Sequence, residues 1–275
     1  MDELNNQDVS LEEQNAPVEE ELSHTDKMTG IFTEPDTTFS QMAKFPPRTI
    51  DWLLPTILMI VFAILSNLLI MSNPIIKQDV MDKQIAQMEK SFQDAVEKGQ
   101  MSQEQADQQL ETMRDRMDQS GGAFMALQFV STVFIIFITF FIVALVYFMI
   151  AKFALKGDGT YASAMVPVGM TYYIAIIQVI IMTILSLAFD RFFSGTSIAA
   201  FIDADKTTFT GWLLGKLDIF TIWALAVTSI GLARMFKSLS TKKYYFAVFG
   251  VWILWGLITY GIAKAVPFLS WMAGM

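Results

Sequence analysis

Chemistry in this chain would have to come from a handful of polar side chains set among long apolar runs. Asn67 and Gln178 fall inside such runs, Asp51 and Asp218 stand where runs begin, and Lys264 stands near the end of the last. An amide surrounded by hydrocarbon needs a partner, so Asn67 and Gln178 are expected to hydrogen-bond neighbouring helices, each bond worth about 0.6 kcal/mol. The other reading is that they line a path for a transported solute. Asp51 and Asp218 are placed to cap free N–H groups at positive helix ends, and Lys264 to snorkel to an interface. No two carboxylates sit together deep in a run, so neither proton-coupled transport nor an intramembrane aspartyl protease has its machinery. Ser131, Ser186 and Ser229 read as packing residues. There is no Cys, and His24, the one His, lies in a polar segment, which excludes thiol chemistry and a membrane-embedded Ser-His-Asp or His-metal site. Gly157-Asp158-Gly159 is a turn, and no phosphate-binding Gly-x-x-x-x-Gly-Lys-Ser/Thr run occurs. The expectation is therefore a chain without catalytic residues, metal or cofactor.

The elements that must position these groups are helices. Five apolar stretches, Trp52 to Met71, Met125 to Ile150, Ala164 to Phe189, Leu217 to Phe236 and Tyr244 to Val266, are each long enough to cross a bilayer, which takes about 20 residues of helix. The chain is 53% hydrophobic and 17% charged, against about 25% charged in a soluble domain. The predicted class is all-α, a polytopic membrane protein with a five-helix transmembrane bundle, and membrane lipids are its first partners. A net charge of −8 argues against nucleic acid. Pro167 and Gly169 predict a kink in the third span, and Gly250, Gly256 and Gly261 predict close helix approach in the fifth.

Residues 1–30 are acidic and poor in apolar side chains, which predicts a disordered tail. No cleavable signal peptide is visible there, so the first span is expected to act as its own insertion signal. Residues 31–48 form a lead-in: Glu34-Pro35-Asp36 marks a turn, and Asp36 or Thr37 can cap a short helix through Phe39, Met42 and Ala43 on the membrane surface, stopped by Phe45-Pro46-Pro47. Residues 49–275 carry the spans, with residues 76–118 inserted as a helical hairpin. Met81, Ile85, Met88, Phe92 and Val96 recur at helical spacing, Gly99 breaks the run, and Ser102 with Gln105 forms a capping box. Ala106, Leu110, Met113 and Met117 then repeat the stripe. Such a hairpin packs on itself or offers an arm to a partner.

Lys44 and Arg48, Lys152 and Lys156, and Arg234, Lys237, Lys242 and Lys243 cluster in short segments on one side of a five-span chain. The positive-inside rule makes that side cytoplasmic, with the N-terminus inside, the C-terminus outside, and a cytoplasmic (inner) membrane as the location. The hairpin and the Asp190–Lys216 loop then face outward. Trp212, Trp271, Tyr244 and Tyr245 suit the interfacial belts.

The run Lys216-Leu-Asp-Ile-Phe-Thr-Ile-Trp223, holding Asp218 and Phe220 and followed by Ile230-Gly231, resembles a signature of the Yip family (Ypt-interacting proteins). Ile31-Phe-Thr-Glu-Pro-Asp-Thr-Thr-Phe39, with Pro35 and Phe39, resembles the family's lead-in, and Gly157-Asp-Gly-Thr-Tyr161 with Ala164 and Pro167 its loop into the third span. The resemblance covers residues 31–268. Eukaryotic relatives are trafficking proteins that bind Rab-type GTPases, but their Asp-Leu-Tyr-Gly-Pro motif is missing here, which implies a bacterial-type member. Some bacterial members resemble accessory subunits of ABC-type export systems. The resemblance thus implies a non-enzymatic accessory or membrane-organising subunit, partnered by ABC-type transporter subunits or by itself. The alternatives are a small transporter or channel, and an intramembrane enzyme that would need Asp51, Asp218 and Lys264 gathered in one place.

Overall fold

A computed structural model describes residues 20–118 and 122–265 of the chain, and among these it is helical throughout, without a strand. Two short helices, α1 (His24–Thr33) and α2 (Pro35–Met42), precede α3 (Ile50–Ser72). Then come α4 (Pro74–Glu97), α5 (Gln103–Asp118) and α6 (Gly122–Met149), the last running into a five-residue π turn, Ile150–Ala154. Next are α7 (Tyr161–Met170), α8 (Tyr172–Ala188), the short α9 (Ile198–Phe201) and α10 (Phe209–Lys216), α11 (Ile219–Met235) and α12 (Lys242–Ala265).

Among the described residues four helical runs are long and apolar enough to cross a membrane: Ile50–Ser72, Phe129–Ala154, Tyr161–Ala188 and Lys242–Ala265. The fourth apolar stretch, Leu217 to Phe236, differs from expectation in length. It is helical only from Ile219 to Met235, 17 residues, because Asp218 caps the helix and the chain before it turns away. Residues 1–19, Trp271 and the end of the last apolar stretch lie outside the described residues.

The run α7–α8 is the hub. Of its most apolar window 44% is buried, against 17–22% in the other three spans, and α3, α6 and α11 all pack on it, while α12 packs on α11. Outward positions such as Phe134, Ile138, Ile184 and Ile258 stay exposed and apolar, as a lipid-facing wall requires. The predicted kink lies where α7 meets α8. Pro167 has no N–H to donate, Thr171 donates its hydroxyl to Val168 O at 2.8 Å, and the helix restarts at Tyr172. Gly169 sits at the crossing with α3, where a Cβ would come within 2.5 Å of the Trp52 Cα. The glycines expected to bring α12 close to its neighbours behave differently. Gly250 and Gly261 face open space, and only Gly256 has close neighbours, namely Lys216 and Trp212.

Between α3 and α8, the Ser66 and Thr183 hydroxyls bond at 2.6 Å, and Thr183 also donates to Val179 O. Replacing Thr183 by Val should cost little, about 0.6 kcal/mol, read as a small drop in thermal midpoint in detergent.

The lead-in departs most from expectation. Helix begins at His24, inside the segment predicted to be a disordered tail, because Ser23 caps it: Ser23 Oγ accepts from Asp26 N at 3.1 Å. Lys27 and Ile31, four residues apart, share the buried face. The α1–α2 pair does not simply lie on a surface: Ile31, Phe39 and Met42 belong to the main core, each at most 5% exposed, and α2 packs against α11.

Helix α4 starts one residue after α3 ends, since Asn73 Oδ1 accepts from Ile75 N and Ile76 N and Pro74 needs no donor partner at the first helical position. Gly99, at φ 68°, closes α4. The Ser102 N–H donates to Gln105 Oε1 and Gln105 N donates to Ser102 Oγ, which starts α5. Phe92 of α4 and Ala106 of α5 are buried where the two helices pack.

Candidate functional site

At the end of the bundle away from the lead-in, the segment between α8 and α11 folds back so that Ser197 and Asp218 form an isolated backbone bridge. That places the Asp218 carboxylate, 6% exposed, among five donors. Oδ1 accepts from Phe220 N and Thr221 N, both at 3.0 Å, capping α11. Oδ2 accepts from Thr196 Oγ1 at 2.8 Å, Thr196 N at 3.2 Å and Gln178 Nε2 at 3.1 Å. Asp218 and Gln178, chosen from sequence separately, thus bond to each other, with Thr196 as a partner that no spacing rule marked. Replacing Asp218 by Ala should lower stability by about 2 kcal/mol, measurable as an earlier thermal midpoint, with solvent from the neighbouring cavity meeting part of the freed donors. Asn67 is not brought in; it makes no hydrogen bond among the described residues and does not line the cavity.

That cavity, about 360 Å³, opens beside Asp218 between α10, α11 and α12. Gln178, Ser194, Ser197, Lys206, Lys216 and Thr221 are among its lining residues. The Lys216 ammonium lies 5.4 Å from the ring centre of Trp212 and 5.0 Å from that of Trp252. Burial pushes the Lys216 pKa below the ordinary lysine value. Lys206 donates to Ser194 Oγ at 3.2 Å. Its neighbour Asp205 is exposed, and hydrogen bonds from the Thr207 hydroxyl and N–H hold its carboxyl below the usual range. Lys264 stands over the Tyr260 ring, 6.0 Å from its centre.

A second polar cluster joins the lead-in to the bundle. Lys27, 2% exposed, donates to Asp51 Oδ2 at 2.9 Å and Oδ1 at 3.1 Å and to Glu21 Oε1 at 2.7 Å. Arg48 also pairs with Glu21. His24 Nε2 lies 2.7 Å from the Tyr173 hydroxyl, and its Nδ1 3.4 Å from Asp51 Oδ1. The reading of Asp51 as a helix cap is overturned: α3 has Thr49 as its N-cap without a side-chain bond, and Asp51 is the buried counter-ion of Lys27. Asp51, Asp218 and Lys264 each keep separate partners and do not gather. Ser186 Oγ accepts from Phe193 N, and Ser229 donates to Leu225 O within its own helix. Among the described residues no group of three His, Cys, Asp or Glu could hold a metal ion.

The residues quoted for the family resemblance converge between these clusters. Pro35 opens α2. Phe39, fully buried, presses its ring against Gly231, where a Cβ would meet the Phe39 Cε2 at 2.9 Å and Pro167 Cβ at 2.5 Å. Trp223 packs on Phe32 at 5.8 Å and lies 6.5 Å from Phe220. Arg234 near the end of α11 grips Asp36 of α2 with two bonds, Nε to Oδ1 at 2.8 Å and Nη2 to Oδ2 at 3.0 Å. Comparison with known families matches the Yip1 domain over residues 29–264, a range that contains this whole arrangement except His24, Lys27 and Glu21. No curated protein and no solved structure matches the chain.

Proposed function

The chain belongs to the Yip1 domain family, and from that premise we propose that this multi-pass membrane protein is a non-enzymatic accessory or membrane-organising subunit that docks a partner through the α4–α5 hairpin. The observation that carries this reading is how α4 and α5 are attached. They continue directly from α3, and their extensive contacts are with α3 and with each other rather than with the hub of the bundle. At 1.5 Å per residue the 24 residues of α4 reach about 36 Å. The lysines and arginines of the lead-in, of the α6–α7 loop and of the α11–α12 loop favour the cytoplasm for that end, so the hairpin would face outward from the inner membrane. Subunits of an ABC-type export system are the partner class to test first, with self-association as the other.

The experiment is a mild-detergent purification of the full chain and of a form in which residues 76–118 are replaced by a short Gly-Ser linker. Partner subunits should co-purify stoichiometrically with the first and be lost from the second. Equal recovery with both would remove the hairpin from the docking role. A small transporter or channel is the second reading, because Gln178 lines the cavity beside Asp218. Unchanged solute flux in a Gln178→Ala variant would sink it.

A further inference from the structure

Lys216 ends α10 with its ammonium turned into the protein. Trp212 and Trp252 flank it at 5.4 and 5.0 Å, and a Cβ on Gly256 would stand 2.6 Å from Nζ, so the missing side chain makes the room the charge occupies. Aromatic faces attract a cation but accept no conventional hydrogen bond, and Lys216 has neither ion pair nor hydrogen bond among the described residues. The acid in the same lining, Asp218, is already saturated by five donors, and Asp205 bonds to Thr207. Lys206 adds a second ammonium, held at Ser194 Oγ. Ser194 Oγ and Ser197 Oγ act as acceptors, from Lys206 and from Ala200 N respectively, which leaves both hydroxyl hydrogens free to donate. Two cations and two O–H donors thus line one open cavity of about 360 Å³. A half-buried charge without a counter-ion is unfavourable, and an anion in the cavity would offset that.

We infer that this cavity binds a phosphate group carried by a membrane phospholipid, with Lys216 and Lys206 supplying charge and the Ser194 and Ser197 hydroxyls supplying hydrogen bonds. The lipid is favoured over a free ion by the surroundings: Phe209, Leu213 and Leu217 of the adjoining segment are exposed at 46–57%, an apolar surface that suits acyl chains beside the headgroup.

The test uses the full chain purified in detergent, with native mass spectrometry at graded activation. The probes are phosphatidylglycerol, a glucosyl diacylglycerol of the same acyl chains that lacks phosphate, and inorganic phosphate. One phosphatidylglycerol should stay bound where the glycolipid is stripped. Lys216→Met should lower that retention about tenfold or more, and Lys216→Arg, which keeps the charge between the rings, should preserve it. Lys206→Gln, on the segment preceding α10, gives a second reading should Lys216→Met fold poorly, and it should also weaken retention. Equal retention of phospholipid and glycolipid, or full retention in both Lys216→Met and Lys206→Gln, would overturn the site. Lys216-dependent binding of inorganic phosphate without retention of phosphatidylglycerol would keep the phosphate chemistry and overturn the lipid source.

Discussion

Replacing Lys27 by Met should destabilise the protein by about 3–5 kcal/mol. The substitution keeps the apolar stem and removes only the charge, so the loss comes from what it leaves behind. Asp51, 3% exposed, loses both bonds to Lys27 and retains His24 Nδ1 at 3.4 Å as its nearest ionisable partner. Glu21, the other acid, keeps Arg48 and suffers less. For a chain of this length the expected drop in thermal midpoint is on the order of 10 °C, followed by tryptophan fluorescence in a single detergent. The double variant Lys27→Met with Asp51→Leu should recover most of the loss, because a well-packed apolar pair replaces a buried ion pair at little or no cost. A single variant as stable as the wild type would show that the pair is not buried against the bundle in the way described.

Phe39→Ala should be comparably severe, about 3–5 kcal/mol, since it empties a site where the ring is fully buried between α7 and α11. Its structural signature is specific. With the ring gone, α1 and α2 keep Ile31 and Met42 in the core and the Lys27–Asp51 and Asp36–Arg234 pairs, but their hold on the bundle is weakened, and trypsin should cleave after Lys27, which the wild type buries. Gly231→Ala in the wild-type background forces a Cβ against Phe39 and Pro167, overpacking worth about 1–3 kcal/mol. In the Phe39→Ala background part of that cost should vanish, leaving the clash with Pro167, and the coupling measured by the cycle reports the contact directly. Strict additivity of the two changes would mean that Phe39 and Gly231 do not meet.

How much of this was legible in the sequence follows from whether the cause is local. The apolar stretches are local, and four of them are full-length helices; the fourth in order, Leu217 to Phe236, is shorter, with Asp218 capping its helix at Ile219. The capping role of Asp218 was readable because an N-cap acts on the next two or three residues, whereas Thr196 reaches it from a loop whose fold nothing in the spacing dictates. Helix α1 was missed although Ser23 followed three residues later by Asp26 is a start signal, because the acidic composition of the preceding residues dominated the reading. The Lys27–Asp51 pair joins residues 24 apart in different helices, and Asp51 at the head of an apolar run looks the same whether it caps or counters a buried charge. Phe39, Gly231 and Pro167 each stood out as residues, but their meeting is a product of three helices crossing. Lys216 stands four residues after Trp212 on α10, a neighbour that helical spacing supplies, whereas Trp252 comes from α12 and only the fold brings it to the ammonium.

The 17 residues of α11 amount to about 25 Å of helix, some 5 Å less than the hydrocarbon thickness of an ordinary bilayer. Ile219 and Ile222, near its start, are exposed, so an α11 that crosses the membrane would present them to lipid. The resulting hydrophobic mismatch on one side would be met by locally thinned bilayer or by the exposed apolar residues of α9 and α10 settling inward, each at a fraction of a kcal/mol per Å. A protein with one short side therefore sits more comfortably in thin membranes than in thick ones, and neighbours that share the same thinned patch of lipid are drawn together without touching.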